Sequence, residues 1–461
     1  MPADPWRCSA LEQAAAIRSR AISAEELTRG YLARIERHDP RLHAFVDVHA
    51  ERALARARRV DRALAAAPAA PSPTFLGVPF AIKDTDAVRF AFNRAGSRAY
   101  RYVWMPFDAR AVRLLRRAGF VILGKTSTSE LALMPVVEPD IHPPTANPWN
   151  VAHSAGGSSG GSASAVAAGM LPIAHAADGG GSIRIPASFC HLFGYKASRG
   201  LTPDFYAAMD PVGLSILGSV AHRVADAAAV LDALRGDASG PGGPDALRTS
   251  ALAPPPPALR IGLCLESPTA SVDPEIASAV TAVARLLESL GHRIEPLDPP
   301  AGSLDEFLPV YQRLAANPPA LSERGFQPVT RWLRDAGKRL TAADAIAANQ
   351  ALSARLLAWF GDLDLCLSPT VGRPPPRIGE WSHLPAEAQF RAAAELGGFT
   401  AAFNITGQPS ASLPAAVSAA GLPIGAMLTG RRGADVTLLR VCHQLEEALA
   451  WHRRRAPLAA S

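Results

Sequence analysis

The chain has 461 residues, 48% hydrophobic and 19% charged, with a formal net charge of +6. That length admits one large α/β domain or two to three ordinary ones, and the balance of apolar and charged residues excludes extensive disorder. There is no 18-residue apolar run, and the arginines are scattered apart from small clusters such as Arg453–Arg455, so neither a membrane span nor a nucleic-acid stripe with interleaved aromatics is expected.

The opening Met1–Pro5 lacks a charged segment followed by an apolar one. The cysteines (Cys8, Cys190, Cys264, Cys366, Cys442) are odd in number and lack C-x-x-C spacing. These features argue against a disulfide framework or a zinc knuckle and predict a soluble, cytoplasmic protein. Ser23 and Glu26 form a capping-box pattern, and Leu27, Tyr31, Leu32 and Ile35 follow at helical spacing, predicting an amphipathic helix that ends near His38-Asp39-Pro40. Val78–Lys83 reads as a buried strand with a lysine at its end. A helix at 109–118 with a strand at 120–123, then a helix at 162–169 with a strand at 171–174, repeats an α-then-β step. Such alternation predicts the α/β class, with helices on both faces of a sheet.

Residues 236–259, including Pro254–Pro257, read as an exposed semi-rigid connector. Arg260–Leu265 is the next strand. Asp273-Pro274 then opens a helix whose Ile276, Val280, Val283, Leu287 and Leu290 share one face, and Gly291 ends it. Helices at 342–360 and 435–451, with strands at 363–367 and 424–428, complete the pattern.

Two glycine-serine runs, Gly156–Ser162 and Gly179–Arg184, stand out. Each alone reads as a linker, a turn or an anion-binding nest, and the first lacks a G-K-[ST] ending. Together they offer a nucleophile, Ser182, preceded by Gly179, Gly180 and Gly181, whose N–H groups could converge on an oxyanion. His153, His175 and His191 lie near the runs without further triad logic. Lys83 competes as the base, because desolvation would lower its ordinary pKa of about 10.4 toward neutrality. Alone, Lys83 is equally a snorkelling surface lysine. Cys190 reads as a small buried hydrophobe, and Phe205, Tyr206, Met209, Phe307, Tyr311 and Trp332 as core or as an apolar substrate pocket.

Asn147–Asn150, Ser154–Ser162 and Asp178–Pro186 together resemble the amidase signature family of Ser-Ser-Lys hydrolases. Gly77–Asp84, Gly124–Thr126, Phe403–Pro409 and Gly421–Gly425 are similar to its other segments, and the likeness weakens between about 203 and 352. The resemblance implies one large mixed β-sheet covered by helices on both faces. It also implies a single domain over 1–461, with a signature core at 60–235, the connector at 236–259 and a C-terminal part at 260–455. Carried over by position, Lys83 is the base, Ser158 the bridging serine after a cis peptide bond, and Ser182 the nucleophile. Gly179, Gly180 and Gly181 form the oxyanion hole, and Ser159, Asp178 and Arg184 support the site. The implied activity is hydrolysis of a carboxylic amide, and of esters too, in a small neutral or apolar substrate, through an acyl-enzyme without metal or organic cofactor. No nucleic acid or membrane partner is implied, and homo-oligomerisation is left open.

The chain departs from the family pattern at Ala177, where Thr or Ser is usual, at Ala155 in place of a frequent proline, and at Met427, where many members have glutamine. Two alternatives stand beside the amidase reading. One is a glutaminase-type A subunit of a tRNA-dependent amidotransferase. The other is a catalytically weakened homologue kept for binding, motivated by Ala177.

Overall fold

Short apolar runs bounded by glycine and proline become strands, and the capped periodic segments between them become helices. The computed structural model describes residues 4–68, 70–203, 209–236, 246–320 and 322–460. Eight strands form a mixed sheet in the order Arg293–Pro296, Arg260–Leu263, Leu365–Pro369, Pro423–Gly430, Ser410–Val417, Phe193–Lys196, Ile216–Ala221, Ile173–Asp178. Arg260–Leu263 is parallel to both neighbours, and the remaining pairs are antiparallel. A three-stranded sheet, ordered Phe45–Val48, Val121–Thr126, Pro79–Lys83, packs its last strand alongside Ile173–Asp178 of the large sheet. Lys83 lies at that seam.

Successive strand residues point to opposite faces, so Phe80 and Ile82 enter one hydrophobic core and Ala81 the other. The same parity separates Ile173 and Ala177 from Ala174 and Ala176. Helices Arg110–Arg117, Val224–Arg235, Pro274–Ser289 and Asp435–Leu449 close the first core, and Ala24–Leu42, Ala50–Ala66 and Gly160–Ala167 the second. Helices therefore cover both faces, as the α/β reading requires. Lys83 has the parity of Ala81, and Asp178 that of Ala176. Both charges thus belong to the face covered by helix Gly160–Ala167, which Ser158 and Ser159 immediately precede.

Several boundaries differ from the sequence reading. Helix Ala24–Leu42 has its Ser23–Glu26 capping box but runs past Pro40 and closes at His43, which is left-handed at φ 50°. A proline in the last turn removes only one helical hydrogen bond, and the Asp39 carboxylate accepts the N–H groups of Ala44 and Phe45 just beyond, at 2.7 and 3.2 Å. The strand read at 171–174 forms at Ile173–Asp178 because its ladder with Ile216–Ala221 extends to Asp178. Within the connector, Leu247–Ala251 is a short helix that buries Leu247 and Ala251, while 237–245 lies outside the described residues. Asp273 caps its helix by accepting the Glu275 N–H at 2.8 Å. Among the described residues no helix is long and apolar enough to cross a membrane.

Helix Gly160–Ala167 comes close to neighbouring backbone at Gly161, where an added Cβ would lie 2.4 Å from Ser127 N and 2.7 Å from Ala44 O. Both obstacles are backbone, so they cannot rotate away. Gly161→Ala is therefore expected to lower stability by about 1–3 kcal/mol, the ordinary range for overpacking, read as a lower urea midpoint with an unchanged m-value.

Candidate active site

Burial sets the chemistry of Lys83. Its side chain is fully enclosed, and Nζ donates to Ser158 Oγ at 2.7 Å and to the Ala177 carbonyl at 3.4 Å. Both partners are neutral. Desolvation therefore pushes the ammonium pKa down to about 7, against the opposing pull of the Asp178 and Asp86 charges. The Gly157–Ser158 peptide is cis. Ser159 Oγ donates to Ala177 O at 3.2 Å and accepts the Ala177 N–H at 3.3 Å, and Ser159 N–H donates to Ser182 O at 3.2 Å. These bonds tie the first glycine-serine run to the second.

The second run is organised by Asp178. Its carboxylate accepts Arg184 Nε and Nη2, both at 2.9 Å, the Gly181 N–H at 2.7 Å, the Ile183 N–H at 3.1 Å and Asn404 Nδ2 at 3.0 Å. Burial would raise the Asp178 carboxyl pKa, but the Arg184 guanidinium holds it well below the usual range. Arg184 in turn donates to Asn404 Oδ1 at 2.6 Å, Thr400 O at 2.9 Å and Met427 Sδ at 3.5 Å. The Met427 sulfur thus accepts a guanidinium N–H. Gly181 has φ +130°, and a Cβ there would lie 2.2 Å from Thr400 Oγ1. That hydroxyl donates to Gly180 O at 2.6 Å, fixing the turn from its other side.

Two chambers meet at Ser182. One, about 80 Å³, is lined by Lys83, Ser158, Ala177, Gly179 and Ser182 together with Met209, Asp210 and Tyr311. The other, about 150 Å³, takes in Gly180, Ser182 and Ile185 with Phe307, Tyr311, Leu352, Leu356 and Phe390. Lys83, Ser158 and Ser182 are therefore brought together, and Ser159, Asp178 and Arg184 lie around them. One assignment needs correction. The Gly181 N–H is committed to Asp178 and is not free for an oxyanion, whereas those of Gly179, Gly180 and Ser182 have no acceptor among the described residues.

Among the described residues none of His153, His175 and His191 hydrogen-bonds to the side chain of Lys83, Ser158 or Ser182. His153 Nδ1 pairs with Pro375 O, His191 packs on Trp149, and the ring nitrogens of His175 have no hydrogen-bond partner among the described residues. Cys190 is buried with its thiol pKa raised by desolvation, as a hydrophobe would be. Trp332 packs against Phe390 behind the pocket, and Phe205 and Tyr206 lie outside the described residues. Sequence reasoning passed over Thr400 and Asn404, which reach the Asp178 turn from more than 200 residues away. The Phe403–Pro409 similarity was the only signal for Asn404. Among the described residues no group of three or more His, Cys, Asp or Glu side chains is placed to hold a metal.

An α/β sheet with a buried lysine-serine contact beside a glycine-lined serine defines the class of amidase signature enzymes. Residues 26–439 match the family described as Amidase. The putative amidase AmiB2 of Mycobacterium tuberculosis is 36% identical, over 98% of this chain and 99% of its own. The 6-aminohexanoate-cyclic-dimer hydrolase of Paenarthrobacter ureafaciens is 33% identical over 99% and 97%. A solved 6-aminohexanoate cyclic dimer hydrolase with bound substrate superposes with a TM-score of 0.86 at 30% identity, covering 98% and 99% of the two chains. The chain belongs to the Amidase family and is an amide hydrolase.

Removing Arg184 would strip the buried Asp178 charge of its hydrogen-bonded counter-charge. Arg184→Ala is expected to cost about 3–5 kcal/mol, the usual penalty for breaking a buried pair, measured by chemical denaturation.

Proposed function

We propose that Ser182 Oγ is the nucleophile, Ser158 Oγ the bridge and Lys83 Nζ the base in amide hydrolysis through an acyl-enzyme. The 2.7 Å contact between Lys83 and Ser158, in a chamber that Ser182 shares, carries this reading. With a pKa near 7, a substantial fraction of Lys83 is neutral at physiological pH and can accept a proton. Lys83 takes the Ser158 proton as Ser158 takes that of Ser182, and Ser182 Oγ bonds to the carbonyl carbon. The developing oxyanion is met by the N–H groups of Gly179, Gly180 and Ser182. The C–N bond then breaks, and the proton returns through Ser158 to the leaving nitrogen. Water adds to the Ser182 ester by the same relay and releases the acid. An ester substrate passes through the same acyl-enzyme.

Ser159 and the Asp178–Arg184 pair position these groups without touching the reacting atoms. The apolar lining around Ser182 favours a small neutral or apolar substrate. Residues 1–461 act as one domain, because strands on both sides of the 236–259 connector share one sheet.

Ser182→Ala is expected to lower kcat/KM at least about 10³-fold and to abolish labelling by a fluorophosphonate probe. Retained labelling at another serine would reject the assignment. Because the base must be neutral, kcat/KM for an uncharged amide should rise about tenfold per pH unit below 7 and level off above it. A flat profile between pH 5.5 and 8 would remove Lys83 from the role.

A further inference from the structure

The two chambers are unequal, and the relay fixes which end of the substrate enters each. The leaving nitrogen must take its proton from Ser158 Oγ, so it has to face the chamber that Lys83 and Ser158 line. The carbonyl oxygen is directed at the N–H groups of the glycine turn. At a tetrahedral carbon on Ser182 Oγ, the remaining substituent is the acyl chain, and the direction left to it is the chamber beyond Gly180 and Ile185. Leu133 and Tyr311 line both spaces and form the wall between them. The Tyr311 hydroxyl donates to Leu133 O at 2.8 Å, holding that wall closed.

Size and lining then set the substrate class. The acyl-side chamber measures about 150 Å³ and is walled by Phe307, Leu352, Leu356, Phe390 and Ile405, and an apolar cavity of about that volume accommodates a benzene ring. The leaving-group side holds about 80 Å³, about half the volume that accommodates a benzene ring, which suits ammonia or a short amine. We infer that this enzyme is selective for amides of bulky apolar acids, with an aromatic ring or an aliphatic chain of about six carbons on the acyl side, and for ammonia or a small amine as leaving group. The assignment rests on the Lys83–Ser158–Ser182 relay proposed above.

The test compares hexanamide and benzamide (bulky acyl, ammonia leaving) with acetanilide (small acyl, bulky amine leaving) and acetamide. Hexanamide and benzamide should exceed acetanilide in kcat/KM by about tenfold or more, the scale on which apolar pockets discriminate. Leu352→Trp and Ala402→Leu fill the acyl chamber from separate helices, and each should lower the hexanamide-to-acetamide ratio about tenfold or more. Fluorophosphonate labelling of Ser182 in each variant reports that the fold and nucleophile are intact. Acetanilide preferred over the primary amides, or a ratio unchanged in both labelled variants, overturns the inference while leaving the relay standing. Loss of both labelling and turnover in the unmodified enzyme overturns the relay and the inference with it.

Discussion

The active centre depends on one buried carboxylate. A charge as enclosed as that of Asp178 persists only where donors surround it, and here a bidentate guanidinium, three backbone N–H groups and a carboxamide do so. Meeting that demand dictates the shape of the turn. Gly181, Ile183 and Arg184 point their N–H groups inward at Asp178, and those of Gly179, Gly180 and Ser182 are left without acceptors among the described residues. The turn becomes a donor surface because the amides of Gly181, Ile183 and Arg184 are already occupied and the others are not.

Lys83 obeys the same electrostatics with the opposite result. Lys125, on the paired strand opposite Ile82, has the Asp84 carboxylate at 2.6 Å, whereas Lys83 is given a hydroxyl and a carbonyl. Desolvation without a contacting counter-charge is what frees its proton near neutrality. The seam between the two sheets supplies that environment, since neither strand edge there exposes the lysine to solvent. Ala177 fits this arrangement through its backbone, whose carbonyl serves both Lys83 and Ser159, and the missing hydroxyl leaves those contacts in place.

Around this centre the larger chamber is lined from the helices Leu304–Ala316, Ala342–Phe360 and Ala386–Ala394, together with the short helix Ala402–Ile405. Their apolar residues pack in clusters separate from the two sheet cores. These helices meet the Asp178 turn where Gly180, Ser182 and Ile185 complete the lining of the same chamber.

The local pattern of the sequence determined the helices with clear caps. Asp273-Pro274 starts where its cap predicts, and Ala342–Phe360 forms over the range read from periodicity. Pro40 was less legible, because a proline in a final turn costs one hydrogen bond and tertiary packing carries the helix past it. Lys83, Ser158, Ser182, Asp178 and Arg184 were legible because glycine-serine runs and a lysine ending an apolar strand are rare local signals that also match a family pattern. The fate of individual amides was not: glycine composition names three candidate donors, and only the placement of Asp178 decides that Gly181 is occupied. Thr400 and Asn404 were equally hidden, since a hydrogen bond spanning more than 200 residues leaves no periodicity. The sequence by itself determined the elements and the chemical groups, because propensity, capping and side-chain type act over a few residues. Only the tertiary structure decided which charges are desolvated, which donors are free and which chamber faces the relay, because these depend on what distant segments bring within about 3 Å.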